Sequence, residues 1–290
     1  MKRDYIYYPD NTKFKELKSE STAGFKSKEQ AISVLEENKQ KISEMQDILY
    51  ADSKHALLII LQGMDASGKD GIIKHVMSGV NPQGFQIKSF GTPSPEEFKH
   101  DFLWRCNKEM PERGHIGIFN RSYYEETLIA RVHPELLSKQ FLPFIPENPK
   151  KDMEFWKMRF TDINNFEKYM NNNGFHILKF YLNISKEEQK KRLLKRINYS
   201  PKNWKFKFDD ISERQHWNEY MSYYEDMFTA TSTDNAPWHI IPADKKLYSR
   251  TIISQIILKK LESLNLKYPE ASYKQKRGII EARHFLDNEK

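Results

Sequence analysis

Eight consecutive residues, Gly63-Met64-Asp65-Ala66-Ser67-Gly68-Lys69-Asp70, have the types and spacing to hold phosphate. They satisfy G-x-x-x-x-G-K between an apolar, β-prone run and a helical pattern, the context that this pattern requires. Glycines permit a tight turn in which amide hydrogens face one anion, and the helix N-terminus adds a favourable dipole. Lys69 supplies a point charge for terminal phosphates. The phosphate-binding residues expected here are Gly63, Ala66, Ser67, Gly68, Lys69 and Asp70. Two departures are informative. Asp70 stands where a Ser or Thr ordinarily ligates Mg²⁺, and Asp65 lies inside the loop. A carboxylate there repels phosphate unless a divalent cation intervenes. Asp65 therefore reads as a metal ligand or as a base for the incoming acceptor, with a loop-capping aspartate as the plain alternative.

A second constellation follows the run His115–Phe119: Asn120-Arg121-Ser122-Tyr123-Tyr124-Glu125-Glu126. P-loop kinases place a metal-proximal aspartate at this point, and here the position holds Asn120. Arg121 is placed to reach a phosphoryl group; its alternative is a local ion pair with Glu125, four residues on. Arg105 and Arg131 could grip an acceptor nucleotide, although each taken alone reads as a structural ion pair. Residues 186–207 carry nine basic and two acidic side chains, the whole of the chain's net charge of +7. So localised a field suggests a polyanion held in one place, against the plain reading of a solvated basic helix. Trp204-Lys205-Phe206-Lys207-Phe208 alternates apolar and basic residues, so as a strand it would turn its aromatics one way and its lysines the other. Beside the basic helix it suggests a mobile, phosphate-facing lid; single-stranded nucleic acid is a competing partner. The nine histidines show no metal-ligand spacing.

These residues need a scaffold. Five apolar segments read as strands: His55–Leu61, Phe85–Phe90, His115–Phe119, Phe175–Leu182 and Trp238–Pro242. Between them lie helical patterns with start signals at Ser27, Ser94-Pro95-Glu96-Glu97, Ser185 and Asp210, and a long helix from about Asp152 to Asn171. Alternation of this kind implies an α/β fold: a parallel sheet with helices on both faces and ligand sites at the carboxyl ends of the strands. The expected division is an N-terminal arm and helix over 1–50, a phosphotransferase core over 51–265 that includes a lid at 186–211, and a C-terminal tail over 266–290. The longest apolar run, Ala56–Leu61, is far short of a membrane span, and no secretory signal is visible behind Met1. The single Cys106 reads as a small core residue, and a reducing, cytoplasmic setting is expected.

The loop Gln62–Gly71, the segment Phe119–Glu125 and the segment Ala236–Asp244 resemble the family-2 polyphosphate kinases. With Asn198–Trp204 and the basic lid, the likeness spans roughly residues 30–265. The resemblance implies a P-loop, three-layer core similar to thymidylate kinase. It also implies Mg²⁺-dependent phosphoryl transfer between inorganic polyphosphate and nucleotides. The family's catalytic residues carry over to Asp65, Lys69 and Arg121, its metal ligand to Asp65, and its lid cations to Arg192–Lys207, within which Arg192, Arg196, Lys202 and Lys205 are the expected phosphate contacts. Arg105, Asn120, Arg121 and Arg131 are the expected nucleotide contacts. Asn120–Pro134 looks most like class III members, which accept both AMP and ADP, and a homo-oligomer is expected. Two rivals stand beside this reading: an ATP-dependent nucleoside monophosphate kinase and a P-loop nucleic-acid-binding protein.

Overall fold

The structure, a computed structural model, describes residues 5–289, with the side chains of Lys202 and Lys205 outside the described residues. Five parallel strands form one sheet: β1 (Ala56–Gln62), β2 (Phe85–Ser89), β3 (Ile116–Asn120), β4 (Phe175–Asn183) and β5 (Trp238–Pro242), in the order β2-β3-β1-β4-β5. Each begins and ends within a residue of its apolar segment. All seven residues of β1 are buried, as a central strand covered on both faces demands. Parallel strands need crossovers, and the helices supply them: α1 (Lys28–Asp52), α2 (Lys69–Val76), α3 (Trp104–Asn107), α4 (Glu125–Val132), α5 (Met153–Asn172), α6 (Lys186–Asn198), α7 (Asp209–Glu213), α8 (Trp217–Thr231), α9 (Lys246–Ser263) and α10 (Tyr273–Asp287). This is the P-loop kinase-type architecture with a basic helical lid, formed by α6, the 3-10 turn Ser200–Lys205 and α7. No helix among the described residues is long and apolar enough to cross a membrane.

Ser27 caps α1, Ser185 caps α6 and Asp152 caps α5, each accepting from a backbone N–H three residues on. Two start signals behave differently. Ser94 and Glu97 do form a reciprocal cap, yet only the 3-10 turn Glu97–Lys99 follows. The Asp101 carboxylate accepts from Leu103 N–H and restarts the chain, so α3 is a single turn. Asp210 caps nothing: α7 follows Phe208 without a side-chain cap, and the Asp210 carboxylate pairs with Arg196. The stretch Trp204–Phe208 is no strand either. It passes from the 3-10 turn that Pro201 opens into α7, with Trp204 and Phe208 exposed. The N-terminal arm is tied to the core: Tyr7 N–H donates to Trp238 O and Ile240 N–H to Tyr5 O along the β5 edge, and Tyr7 and Phe14 are buried. α1 lies against α9, where Asn38 Nδ2 donates to Ser254 Oγ at 2.9 Å.

One polar element sits in the middle of this core. Lys179 on β4 is fully buried, and its ammonium donates to Glu167 Oε2, Tyr124 OH and Thr231 O, each at 2.7 or 2.8 Å. Glu167 Oε1 accepts from the hydroxyls of Tyr123 and Tyr124. Burial pulls the Lys179 pKa down, opposed by the Glu167 charge, while burial and Glu167 raise both tyrosines. The network anchors the two residues that follow Arg121-Ser122. Lys179→Met would leave the Glu167 carboxylate buried without its counter-ion and is expected to lower the unfolding free energy by about 3–5 kcal/mol. Adding Glu167→Leu should recover part of that loss. Urea titration of the three proteins checks this, and a loss no larger than an ordinary surface change would refute it.

Candidate active site

The loop between β1 and α2 lies at the carboxyl end of the central strand. Gly63 has φ of 149°, and a Cβ there would fall 2.9 Å from Ser67 Oγ and 3.1 Å from Leu182 O, so only glycine fits. Ala66 and Gly68 also have positive φ, which curls the loop ahead of the α2 N-terminus. The Lys69 ammonium donates to Gly63 O at 2.6 Å and lies 3.3 Å from Met64 O. Burial, then the neighbouring Arg121 charge, lowers the Lys69 pKa to about 8. Ser67 Oγ is buried with no hydrogen-bond partner among the described residues. The loop therefore presents a desolvated cation and an unused hydroxyl.

Arg121 follows β3 with φ of 65°, an uncommon conformation for a non-glycine residue. Its Nη2 donates to Asp65 Oδ1 at 2.7 Å, across 56 positions of sequence. The local alternative is not what forms: Glu125 accepts instead from Gln62 Nε2 at 3.0 Å, while its charge, with that of Asp65, raises the Arg121 pKa. Asn120 Nδ2 donates to Asp70 Oδ1 at 3.1 Å. The usual pairing of a loop hydroxyl with a β3 carboxylate is thus exchanged for a loop carboxylate and a β3 amide. Asp65, Asp70, Asn120 and Arg121 all line one cavity of about 730 Å³ over the loop.

The basic residues divide sharply. Arg192, expected to bind phosphate, has every donor committed to protein. Nε donates to Glu188, Nη1 to Ala66 O and Ser67 O, and Nη2 to Ala243 O and Asp244 O. It braces the loop and contributes charge, not hydrogen bonds, to the cavity. Arg196 is paired with Asp210 at 2.8 Å. The side chains of Lys202 and Lys205 lie outside the described residues. Lys195 and Lys207, within the expected lid region, line the cavity; so do Lys246 and Arg250 on α9, which the sequence did not single out because they lie beyond the basic run. Arg131 is buried beside Tyr223 and Trp156 and paired with Asp226 at 2.7 Å, a structural role that the site does not use. Arg105 is also buried, donating to Gly91 O, with Glu126 Oε1 at 3.4 Å. It lines a second cavity of about 270 Å³ with Phe98, Phe102, Gln140 and Phe141, and its Nε is buried without a hydrogen-bond partner.

A divalent cation fits the loop cavity by its donor set. No group of three or more His, Cys, Asp or Glu side chains that could hold a metal occurs among the described residues. Of the three carboxylates that line the cavity, Asp210 is paired with Arg196, which leaves Asp65 and Asp70 over the loop. That supply suits Mg²⁺, which keeps one or two carboxylates and takes further oxygens from substrate phosphates. The arrangement can bind a polyanion, neutralise it and polarise its end.

Comparison with known proteins agrees. The family model for polyphosphate kinase 2 (PPK2) matches residues 25–269. The chain is 46% identical over 262 residues to the ADP-polyphosphate phosphotransferase of Rhodopseudomonas palustris, covering 90% of each. It is 37% identical over 281 residues to the AMP/ADP-polyphosphate phosphotransferase of Meiothermus ruber, covering 96% of this chain and 100% of the other. The crystal structure of polyphosphate kinase 2 from Arthrobacter aurescens TC1 superimposes with a TM-score of 0.85 at 36% identity, covering 96% and 95% of the two chains.

The bracing role of Arg192 is open to test. Arg192→Lys keeps the charge but cannot reproduce five directed donors. It is expected to cost about 1–3 kcal/mol of stability by leaving buried carbonyls unsatisfied. Amide exchange over residues 63–68 should quicken selectively in the variant. Unchanged exchange there would show that the loop holds itself.

Proposed function

The chain belongs to the polyphosphate kinase 2 family, and from that premise we propose how this site carries out phosphoryl transfer between inorganic polyphosphate and nucleotides. The observation that carries the reading is the charge of the loop cavity. Among its described lining residues, eight are basic and three are carboxylates. That excess is larger than a single triphosphate requires and suits a long polyanion. It disfavours an ATP-dependent monophosphate kinase, and family membership disfavours a nucleic-acid-binding module without catalysis.

In the proposed reaction a terminal phosphate oxygen of AMP or ADP forms a bond to the end phosphorus of the polyphosphate chain. The bond to the bridging oxygen breaks, and the electron pair leaves with the shortened chain. The acceptor oxygen is already anionic near neutral pH, so no base is required. The Asp65 carboxylate, held by Arg121, is better matched to the metal. Asp65 and Asp70 would hold Mg²⁺ together with substrate oxygens, and bound Mg²⁺ supplies neutralisation of the transferring group. The loop amides and Lys69 bind the donor end. Arg121 reaches the equatorial oxygens from the acceptor side, where charge builds in transit. The acceptor's base is assigned to the cavity of Phe98, Phe102 and Phe141, whose rings offer faces on which a planar base can stack. The cytoplasm, with its nucleotide pool, is the setting that this reading implies.

A matrix of donors (long polyphosphate, short oligophosphate, ATP) against acceptors (AMP, ADP, GDP) tests the reading directly; transfer from ATP alone would defeat it. Lys69→Ala should reduce turnover by about 10²–10³ with the fold intact. A lysine whose pKa is depressed to about 8 loses its charge as pH rises through that value. Donor kcat/KM in the wild type should therefore decline above about pH 8, measured at constant ionic strength. A flat profile would mean that Lys69 stays charged and is not the desolvated phosphate ligand described here. Asp65→Asn should raise the Mg²⁺ concentration needed for half-maximal rate, because the amide keeps the shape and removes the charge. An unaltered magnesium titration would leave Asp65 only its pairing with Arg121.

A further inference from the structure

α9 contributes a cation to the loop cavity that the lid reading leaves unused. Arg250 is half-buried on the cavity wall. Among the described residues no carboxylate, carbonyl or ring pairs with its guanidinium. The charge that acts on it is positive, that of Arg192 on α6, and Arg250 in turn helps to hold His75 on α2 unprotonated. Burial and the Arg192 charge weaken the hold of Arg250 on its proton. The carboxylate nearest in sequence, Asp244, is occupied on both oxygens, by Ser185 N–H at one and Ser19 Oγ at the other. A half-buried cation among like charges is unfavourable unless an anion joins it.

The position of Arg250 says which anion. Arg192 Nη1 lies 3.6 Å from where a Cβ on Gly68 would stand, and Arg250 Nη2 lies 3.5 Å from the same point on Gly71. The two guanidinium groups therefore lie against the first turn of α2, over glycines that leave the approach open. Lys246 lies one turn earlier on α9, on the same wall. An extended chain of phosphates whose end is held in the loop, and which continues past Gly68 and Gly71, meets Arg250 next.

We propose that Arg250 is a donor-length-sensing residue: it binds the phosphate units beyond those held in the loop, so that long polyphosphate leaves the site toward α9 and not only across the lid. This rests on the polyphosphate kinase reading above. Because Arg192 has no hydrogen bonds left to give, Arg250 provides the directed contact on this side, in the bidentate geometry that arginine offers to phosphate.

The experiment compares wild type with Arg250→Gln and Arg250→Lys, using inorganic triphosphate and long-chain polyphosphate as donors at several salt concentrations. Binding of long polyphosphate without nucleotide is measured in parallel by calorimetry. Arg250→Gln should raise the KM for long polyphosphate by about tenfold to a hundredfold, the loss expected for a charge-assisted contact. The KM for triphosphate and for the nucleotide should change much less. The slope of log affinity for the long donor against log salt should fall by about one. Arg250→Lys should restore part of the long-donor affinity. The thermal midpoint of Arg250→Gln should equal or exceed that of the wild type, because a repulsion with Arg192 is removed. Equal loss on both donors, a rise confined to the nucleotide KM, or a lowered midpoint with no donor-length effect would each overturn the inference. Failure of the wild type to use any polyphosphate would instead overturn the functional reading on which it rests.

Discussion

A phosphate-binding loop turns its amide hydrogens toward the ligand, and its carbonyls must then find partners on the opposite side. In this protein one guanidinium meets much of that need. Arg192 satisfies Ala66 O and Ser67 O on the loop and Ala243 O and Asp244 O beyond β5, while Glu188 holds its Nε from one turn back on α6. Three separate pieces of chain thus converge on one planar group. The lid begins on the helix that carries this clamp, so loop and lid share a single fixed point. Gln189, three residues earlier, adds a bond to Asp65 O. The loop's shape depends on these contacts as much as on its glycines.

Around that point the charges are arranged in opposition. Lys69 is desolvated and pushed toward neutrality by Arg121, while Asp65 and Glu125 keep Arg121 charged. Arg121 holds a left-handed backbone conformation and is followed closely by Tyr123 and Tyr124, whose hydroxyls are anchored by the buried Glu167 and Lys179. Strain at a functional residue persists where its surroundings over-determine it, and here a fully satisfied polar network in the core does so. Arg250, which has no partner among the described residues, faces the cavity. Arrangement before the ligand arrives is what electrostatic catalysis of phosphoryl transfer requires.

The strands were legible because each is an apolar run bounded by residues that cannot continue it, and because buried parallel strands have little else in their composition. The loop was legible because its glycines and lysine serve a local geometry. The lid was legible as charge and misleading as shape. Trp204–Phe208 alternates like a strand, yet Pro201 with the following turn takes it toward α7. Ser94 and Glu97 made their cap, but the helix behind it was cut short by Asp101.

Residue types, periodicity and motif order were enough to determine the fold class and to single out the glycine-lysine loop with Asp65, Lys69 and Arg121, since each lies in a motif only a few residues long. Which cation does what was decided only in three dimensions. Arg192 became a brace, Arg131 a core residue, and Arg250 a wall of the site, because β1 lies beside β4 and β4 beside β5. That order brings α6, the loop and the start of α9 within reach of one another. Hydrogen-bond and ion-pair partners across 50 to 126 positions, such as Asn120 with Asp70 or Arg192 with Ala66, depend on strand adjacency, which is a property of the folded sheet and leaves no local trace in the chain.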